Sequence, residues 1–150
     1  MKEYLELMSG MLTPVIAVVA ILIAIFQYRI ERQRWRLALF EKRHPVFEHA
    51  MTFIASVVRY GTASDAALST FIRDTKNGEL LFGPEISTYL NEVYSKGVEL
   101  RTLTVTMEPM PVGEARSNHA QSIHDLCLWF GEQFKQARVS FAPYVCIRET

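Results

Sequence analysis

The chain has no CxxC pair: Cys127 and Cys146 are its only cysteines, and they stand far apart. That excludes a disulfide framework and a zinc ribbon. HExxH, GxxxxGK and GxGxxG are also missing. The sequence therefore offers neither a zinc-protease helix nor a phosphate-cradling loop. Net charge is absent too, with 16 basic residues against 16 acidic ones. General nucleic-acid binding, which favours a broad basic face, finds no support in that balance. Strand signals are lacking as well. Thr102 to Met107 is β-prone, yet it stays in phase with the helical pattern before it. No internal repeat and no low-complexity tract is visible.

What is present is concentrated at one end. From Leu7 to Tyr28 there is no charged residue, and Met11 to Phe26 is almost wholly apolar. A helix rises about 1.5 Å per residue, so roughly 20 such residues match a hydrocarbon core of about 30 Å. A soluble helix would need a polar face, and Val15 to Phe26 has none. A cleaved signal peptide would carry its positive charge before the run. Here Glu3 and Glu6 outweigh Lys2 before it, and the arginines follow it. The pattern predicts a retained transmembrane helix, with residues 1–28 as a short external N-terminus and span, and residues 29–150 in the cytoplasm.

Residues 29–43 hold six basic side chains against Glu31 and Glu41. Positive charge stays on the cytoplasmic side of a span, which sets this orientation. Arg29, Arg32, Arg34, Arg36 and Trp35 are the expected lipid-headgroup contacts, each arginine contributing about 1 kcal/mol at an anionic surface. Within the span, Ala20 and Ala24 form a small-xxx-small pair on which two helices can approach.

Beyond the span the apolar spacing predicts an all-α chain, the first helix continuing into a cytoplasmic antiparallel bundle of three to four helices. Ile30, Leu37, Phe40, His44, Phe47, Met51, Ile54 and Val58 follow a heptad-type stripe, with Gln33 filling the slot after Ile30. Leu37, Phe40, Phe47 and Met51 are the seam positions that a partner, a second copy or the rest of this chain would cover. Pro45 predicts a kink or short break near His44, and because the stripe keeps its phase across the proline, a bent continuous helix is favoured over two separate ones. Tyr60-Gly61-Thr62 should stop the helix, and Thr62 or Ser64 should cap a short one over Asp65 to Thr75, burying Leu68, Phe71 and Ile72. Leu80 to Phe82 should tuck under the core. Gly83-Pro84-Glu85 opens a helix with the stripe Ile86, Leu90, Val93, Gly97, Leu100, Thr104 and Met107, in which Gly97 marks a close approach. Glu108 to Glu114 reads as a loop. The last helix is expected over Ser117 to Val139, with Ile123, Cys127, Phe130, Phe134, Ala137 and Phe141 as its stripe. Pro143 should end it, with Tyr144, Val145 and Ile147 docking back.

Three stretches, LALFEKRHPVFE (Leu37 to Glu48), LFGPEISTYLNEV (Leu81 to Val93) and FAPYV (Phe141 to Val145), carry a resemblance. Their pattern resembles uncharacterised bacterial single-pass membrane-anchored helical proteins whose first cytoplasmic helix reads like LFdKRfevYe. The resemblance implies a bacterial inner membrane location and names no reaction. This sequence departs from it at Pro45, where the pattern has a helix former.

Chemistry-bearing residues are few. His124 and Cys127, at i and i+3, share a helix face, and His44 lies in the stripe of the first helix. Together they are the only candidates for a metal or haem site on facing helices. The plainer reading is a buried thiol beside a partly exposed imidazole. No nucleophile, base and oxyanion donor come together, so no catalytic residue, metal or cofactor is assigned. The expected function is a non-enzymatic scaffold or accessory module on the inner membrane, with lipid and an unknown protein or its own copy as partners and no nucleic acid. The alternative is a membrane-tethered sensor binding haem, metal or a small hydrophobic ligand in the bundle.

Overall fold

The computed structural model describes the backbone of residues 2–145 and the side chains of residues 16–145. The described residues are all-α, without strands. The elements are α1 (Lys2–Tyr60), α2 (Asp65–Thr75), a single turn α3 (Gly78–Leu81), α4 (Pro84–Met107) and α5 (Glu114–Val145). The chain divides into two compact units, residues 1–39 and residues 40–150.

In residues 1–39 only α1 is present. Every side chain from Ile16 to Ala38 is exposed. Among the described residues no helix is long and apolar enough to cross a membrane. The described part of the apolar run, Ile16 to Tyr28, amounts to only about 20 Å of helix at 1.5 Å per residue. The side chains of residues 7–15 lie outside the described set.

Residues 40–150 form the bundle. Helix α1 continues through Pro45 without a break, as the unbroken phase of its stripe favoured. The proline removes the donor that would reach the Glu41 carbonyl, but Pro45 and Glu41 are both exposed, so solvent can satisfy that carbonyl. At its end, Gly61 adopts φ +67° and its N–H donates to the Val57 carbonyl at 2.8 Å. That left-handed stop costs a glycine little. Ser64 then caps α2, its hydroxyl accepting from the Ala67 N–H at 3.1 Å.

Side-chain neighbours fix the direction of each helix. Phe53 of α1 meets Phe71 of α2, while His49 reaches Asp74, so α1 and α2 are antiparallel. Phe53 lies beside Gly97 of α4, and Thr62 reaches Thr104, so α1 and α4 run parallel. Phe47 packs on Phe141 and Phe53 on Phe130, so α5 runs back against α1. The bundle is therefore up-down-up-down, with α2 the short member. Its core joins Val46, Ala50, Phe53, Ile54 and Val57 to Leu68, Phe71, Ile86, Val93, Leu100, Phe130, Ala137 and Phe141.

The buried face of α1 keeps Ile54 of the predicted stripe, fully buried, but is otherwise turned from it. Val46, Ala50, Phe53 and Val57 are its centre, Phe47 and Met51 are half-buried at its edge, and Val58 is exposed. The large residues suggested the phase, but the packing follows Ala50, whose small side chain admits neighbouring helices. Two further expectations change. Ile72 is exposed and Thr75 is buried in its place on α2, its hydroxyl donating to the Phe71 carbonyl at 2.7 Å. Helix α5 begins at Glu114 and runs through Pro143 to Val145 instead of stopping. The carbonyl released by Pro143 belongs to exposed Val139, where solvent can satisfy it. Cys146 and the expected docking of Ile147 lie outside the described residues.

Candidate functional site

The three stretches quoted above meet at one end of the bundle. Arg43 is the centre of that meeting. Its Nε donates to the Leu81 carbonyl at 2.8 Å. Its guanidinium carbon lies 5.6 Å from the Phe82 ring centre and 5.4 Å from that of Tyr144. Phe82 packs edge-on against both Phe141 and Tyr144. A planar, permanently charged guanidinium can satisfy a carbonyl and cover two rings at once; a lysine ammonium cannot. Of Leu80, Leu81 and Phe82, only Phe82 is buried, while Leu80 is 86% exposed. The turn α3 thus leads Phe82 into the core, keeps Leu81 half-buried against it and leaves Leu80 outside.

A second polar group joins α1 to α2. Asp74 accepts from Arg73 Nε at 3.0 Å, and His49 Nδ1 lies 3.5 Å from its other oxygen. The Arg73 hydrogen bond, with lesser help from His49, holds the Asp74 carboxyl below its ordinary value. On the opposite edge of α2, Arg101 grips Asp65 with two bonds at 3.0 and 2.8 Å. The Arg101 hydrogen bond holds that carboxyl down as well. Sequence reasoning missed both groups, because the residues they join across helices are far apart in the chain.

The metal or haem candidates do not come together. Cys127 is half-buried, with its Sγ 3.8 Å from the Gly61 carbonyl, and burial pushes its thiol up. His124 is exposed. His44 lies toward the other end of the bundle: between it and Tyr60 stretches about 24 Å of helix at 1.5 Å per residue. The expectation that His44 faces the His124–Cys127 pair across the bundle is corrected by this separation. His44 instead packs at a tilt against Phe40, ring centres 5.2 Å apart, and its Nδ1 lies 3.8 Å from Glu48. Among the described residues no three His, Cys, Asp or Glu side chains cluster as a metal would require.

The seam candidates divide. Phe47 and Met51 pack against the chain's own core, Phe40 is half-buried, and Leu37 is 52% exposed. The collar side chains Arg29, Arg32, Arg34, Arg36 and Trp35 are all exposed, Trp35 at 69%. Open, shallow grooves mark the bundle surface, one between α2 and α4 lined by Leu68, Ile72, Tyr94, Val98 and Arg101. Another is lined by Tyr89, Trp129 and Gln133. The Tyr89 hydroxyl is buried and has no hydrogen-bond partner among the described residues.

No family model matches the chain, no curated protein matches it, and no solved structure matches it.

Proposed function

We propose that this chain is a membrane-anchored, non-enzymatic interaction module: α1 fixes it in a bacterial inner membrane and the bundle is presented in the cytoplasm to a protein partner. One observation carries the reading. The apolar side chains Ile16, Val18, Ile21, Leu22, Ile23 and Phe26 are each at least half exposed. An apolar surface that continuous is a liability in water and marks a site for protein or lipid. The uncharged run extends back to Leu7, and together the two parts match the thickness of a hydrocarbon core. The arginine collar follows immediately, which supports a cytoplasmic position for all that comes after it. The resemblance to single-pass bacterial proteins points to the same location.

The interaction role is supported by what the polar side chains are committed to. Arg43, Asp65, Arg101 and Asp74 are engaged in joining one helix to another. The test is a pull-down of the full chain, tagged at its C-terminus, from membranes crosslinked briefly and solubilised in mild detergent. Recovery of a protein partner in stoichiometric amount is the expected result. Recovery of the chain from the soluble fraction would end the anchoring part of the reading. Recovery from membranes with nothing in stoichiometric amount, neither another protein nor a second copy, would end the interaction part.

A further inference from the structure

We propose that one side of α1, carrying Tyr28, Arg29, Arg32, Trp35 and Arg36, binds anionic phospholipid headgroups, and that the helix lies obliquely along them as it leaves the bilayer. The inference deepens the membrane attachment proposed above and rests on it.

The spacing of these five residues is that of one helix face. At about 100° per residue they fall within one third of the circumference, about 120° wide. The other residues from Tyr28 to Ala38 (Ile30, Glu31, Gln33, Arg34, Leu37 and Ala38) take the remaining two thirds. One side therefore gathers three guanidinium groups and two aromatic rings with a polar edge. The one acid of the segment, Glu31, is on the other side, and so is Arg34.

All five side chains are exposed, Tyr28 at 70% and Trp35 at 69%. Among the described residues Arg29, Arg32 and Arg36 have no ion-pair partner. A guanidinium fork matches two oxygens of one phosphate. Indole and phenol rings favour the zone where one edge meets water and the other meets hydrocarbon. Charge and rings thus call for the same occupant. The apolar run that ends at Phe26 directly precedes this face, so the phosphates within reach are those of the same bilayer. That continuity favours lipid over a free polyanion such as a nucleic acid.

Depth distinguishes a leaning helix from an upright one. From Tyr28 to Arg36 the axis advances about 12 Å at 1.5 Å per residue. One headgroup zone is roughly 5–8 Å thick, half the difference between a whole bilayer and its hydrocarbon core. An upright helix would carry Trp35 and Arg36 past that zone, and Arg34 would stand closer to phosphate than Arg36. In a leaning helix the side of the helix decides instead. Arg36 then meets phosphate as Arg29 and Arg32 do, and Arg34 is turned away from it.

The test uses the full chain with Trp129→Phe, which leaves Trp35 as its one tryptophan. It is placed in vesicles of phosphatidylcholine, alone or mixed with phosphatidylglycerol, and acrylamide quenching reads how far Trp35 is shielded from water. Shielding should be several-fold stronger with phosphatidylglycerol than without it. A tryptophan moved to the other side, by Trp35→Phe with Leu37→Trp, should stay open in both. Arg36→Gln should remove most of the phosphatidylglycerol effect, and Arg34→Gln should leave it in place. Equal shielding of the two tryptophan positions, no dependence on phosphatidylglycerol, or equal effects of Arg34→Gln and Arg36→Gln would overturn the proposal. So would shielding by a single-stranded oligonucleotide that matches the anionic vesicles. An alkaline carbonate wash of the same vesicles reports on anchoring separately. Retention of a chain whose Trp35 is open sinks the headgroup face alone, whereas release of a chain whose Trp35 was shielded sinks the anchoring alone.

Discussion

A Cβ placed on Gly97 would stand 2.9 Å from Cζ of Phe53 and 3.0 Å from a Leu68 methyl. Helix α4 comes close to both α1 and α2 at this residue. The Leu68 methyl has room to turn, but Phe53 does not. Its ring is held between Phe71, with centres 4.7 Å apart, and Phe130, at 6.1 Å. Gly97→Ala gains up to about 1 kcal/mol of helix propensity and loses roughly 1–3 kcal/mol to overpacking. We expect a net loss of stability, read as a lower midpoint in urea at unchanged slope.

Arg43 ties the α3 turn to α1. Arg43→Lys keeps the charge but gives up the planar stack on Phe82 and Tyr144. A hydrogen bond from a charged donor contributes about 1.5–3 kcal/mol and an exposed cation–π contact about 0.5–1 kcal/mol. Arg43→Ala should therefore cost about 2 kcal/mol or more, and Arg43→Lys should recover less than half of it. Hydrogen exchange across residues 78–83 checks the local part, since these amides should lose protection first.

Tyr89 is buried and its hydroxyl has no partner. Burial, then the nearby Glu92 carboxylate, pushes the phenol above its ordinary range. An unpaired buried hydroxyl costs more than it returns, so Tyr89→Phe should be neutral or stabilising by about 1 kcal/mol. The ring contact with Phe141, 6.3 Å between centres, survives the change. A thermal melt that falls by several degrees would show that the hydroxyl is satisfied in solution.

Acid should weaken the attachment of α2. Arg101 lowers Asp65 and Arg73 lowers Asp74, both from an ordinary value of 3.8. A lowered carboxyl contributes stability that is fully present above the unfolded value and disappears as pH falls through the folded one. Both groups are solvent-exposed in part, so the effect is small and salt weakens it further. Melts should be level from pH 7 to about 5 on this account and decline below about 4. In Asp65→Asn with Asp74→Asn, that acid decline should flatten.

Much of the fold was legible because it is local. Helix α2 was expected over Asp65 to Thr75 and α4 from Pro84 to Met107, and both stand there. A capping hydroxyl, a proline at the first turn and a glycine able to take positive φ act on their own few residues. The stripes of α4 and α5 were also readable, since Ile86, Leu90, Val93 and Gly97, like Phe130, Ala137 and Phe141, repeat at helical spacing and are buried. Pro143 was overestimated as a stop, since α5 runs on to Val145. Whether a lost bond breaks a helix depends on whether water can reach the freed carbonyl, and exposure is a tertiary property.

By itself the sequence determined that the chain is helical, where α1 ends, where α2 and α4 begin and end, and that an uncharged apolar run is followed by a basic collar. Those features follow from backbone conformation, periodicity and composition, which need no distant residue. Only the tertiary structure decided that Val46, Ala50, Phe53 and Val57 form the inner face of α1, because phase is chosen by what the neighbouring helices can fill. It alone brought Arg43 to the Leu81 carbonyl and two aromatic rings, and Asp65 to Arg101. It also separated His44 from His124 and Cys127. Such meetings depend on the up-down-up-down path of the chain, and spacing along a sequence does not carry that path.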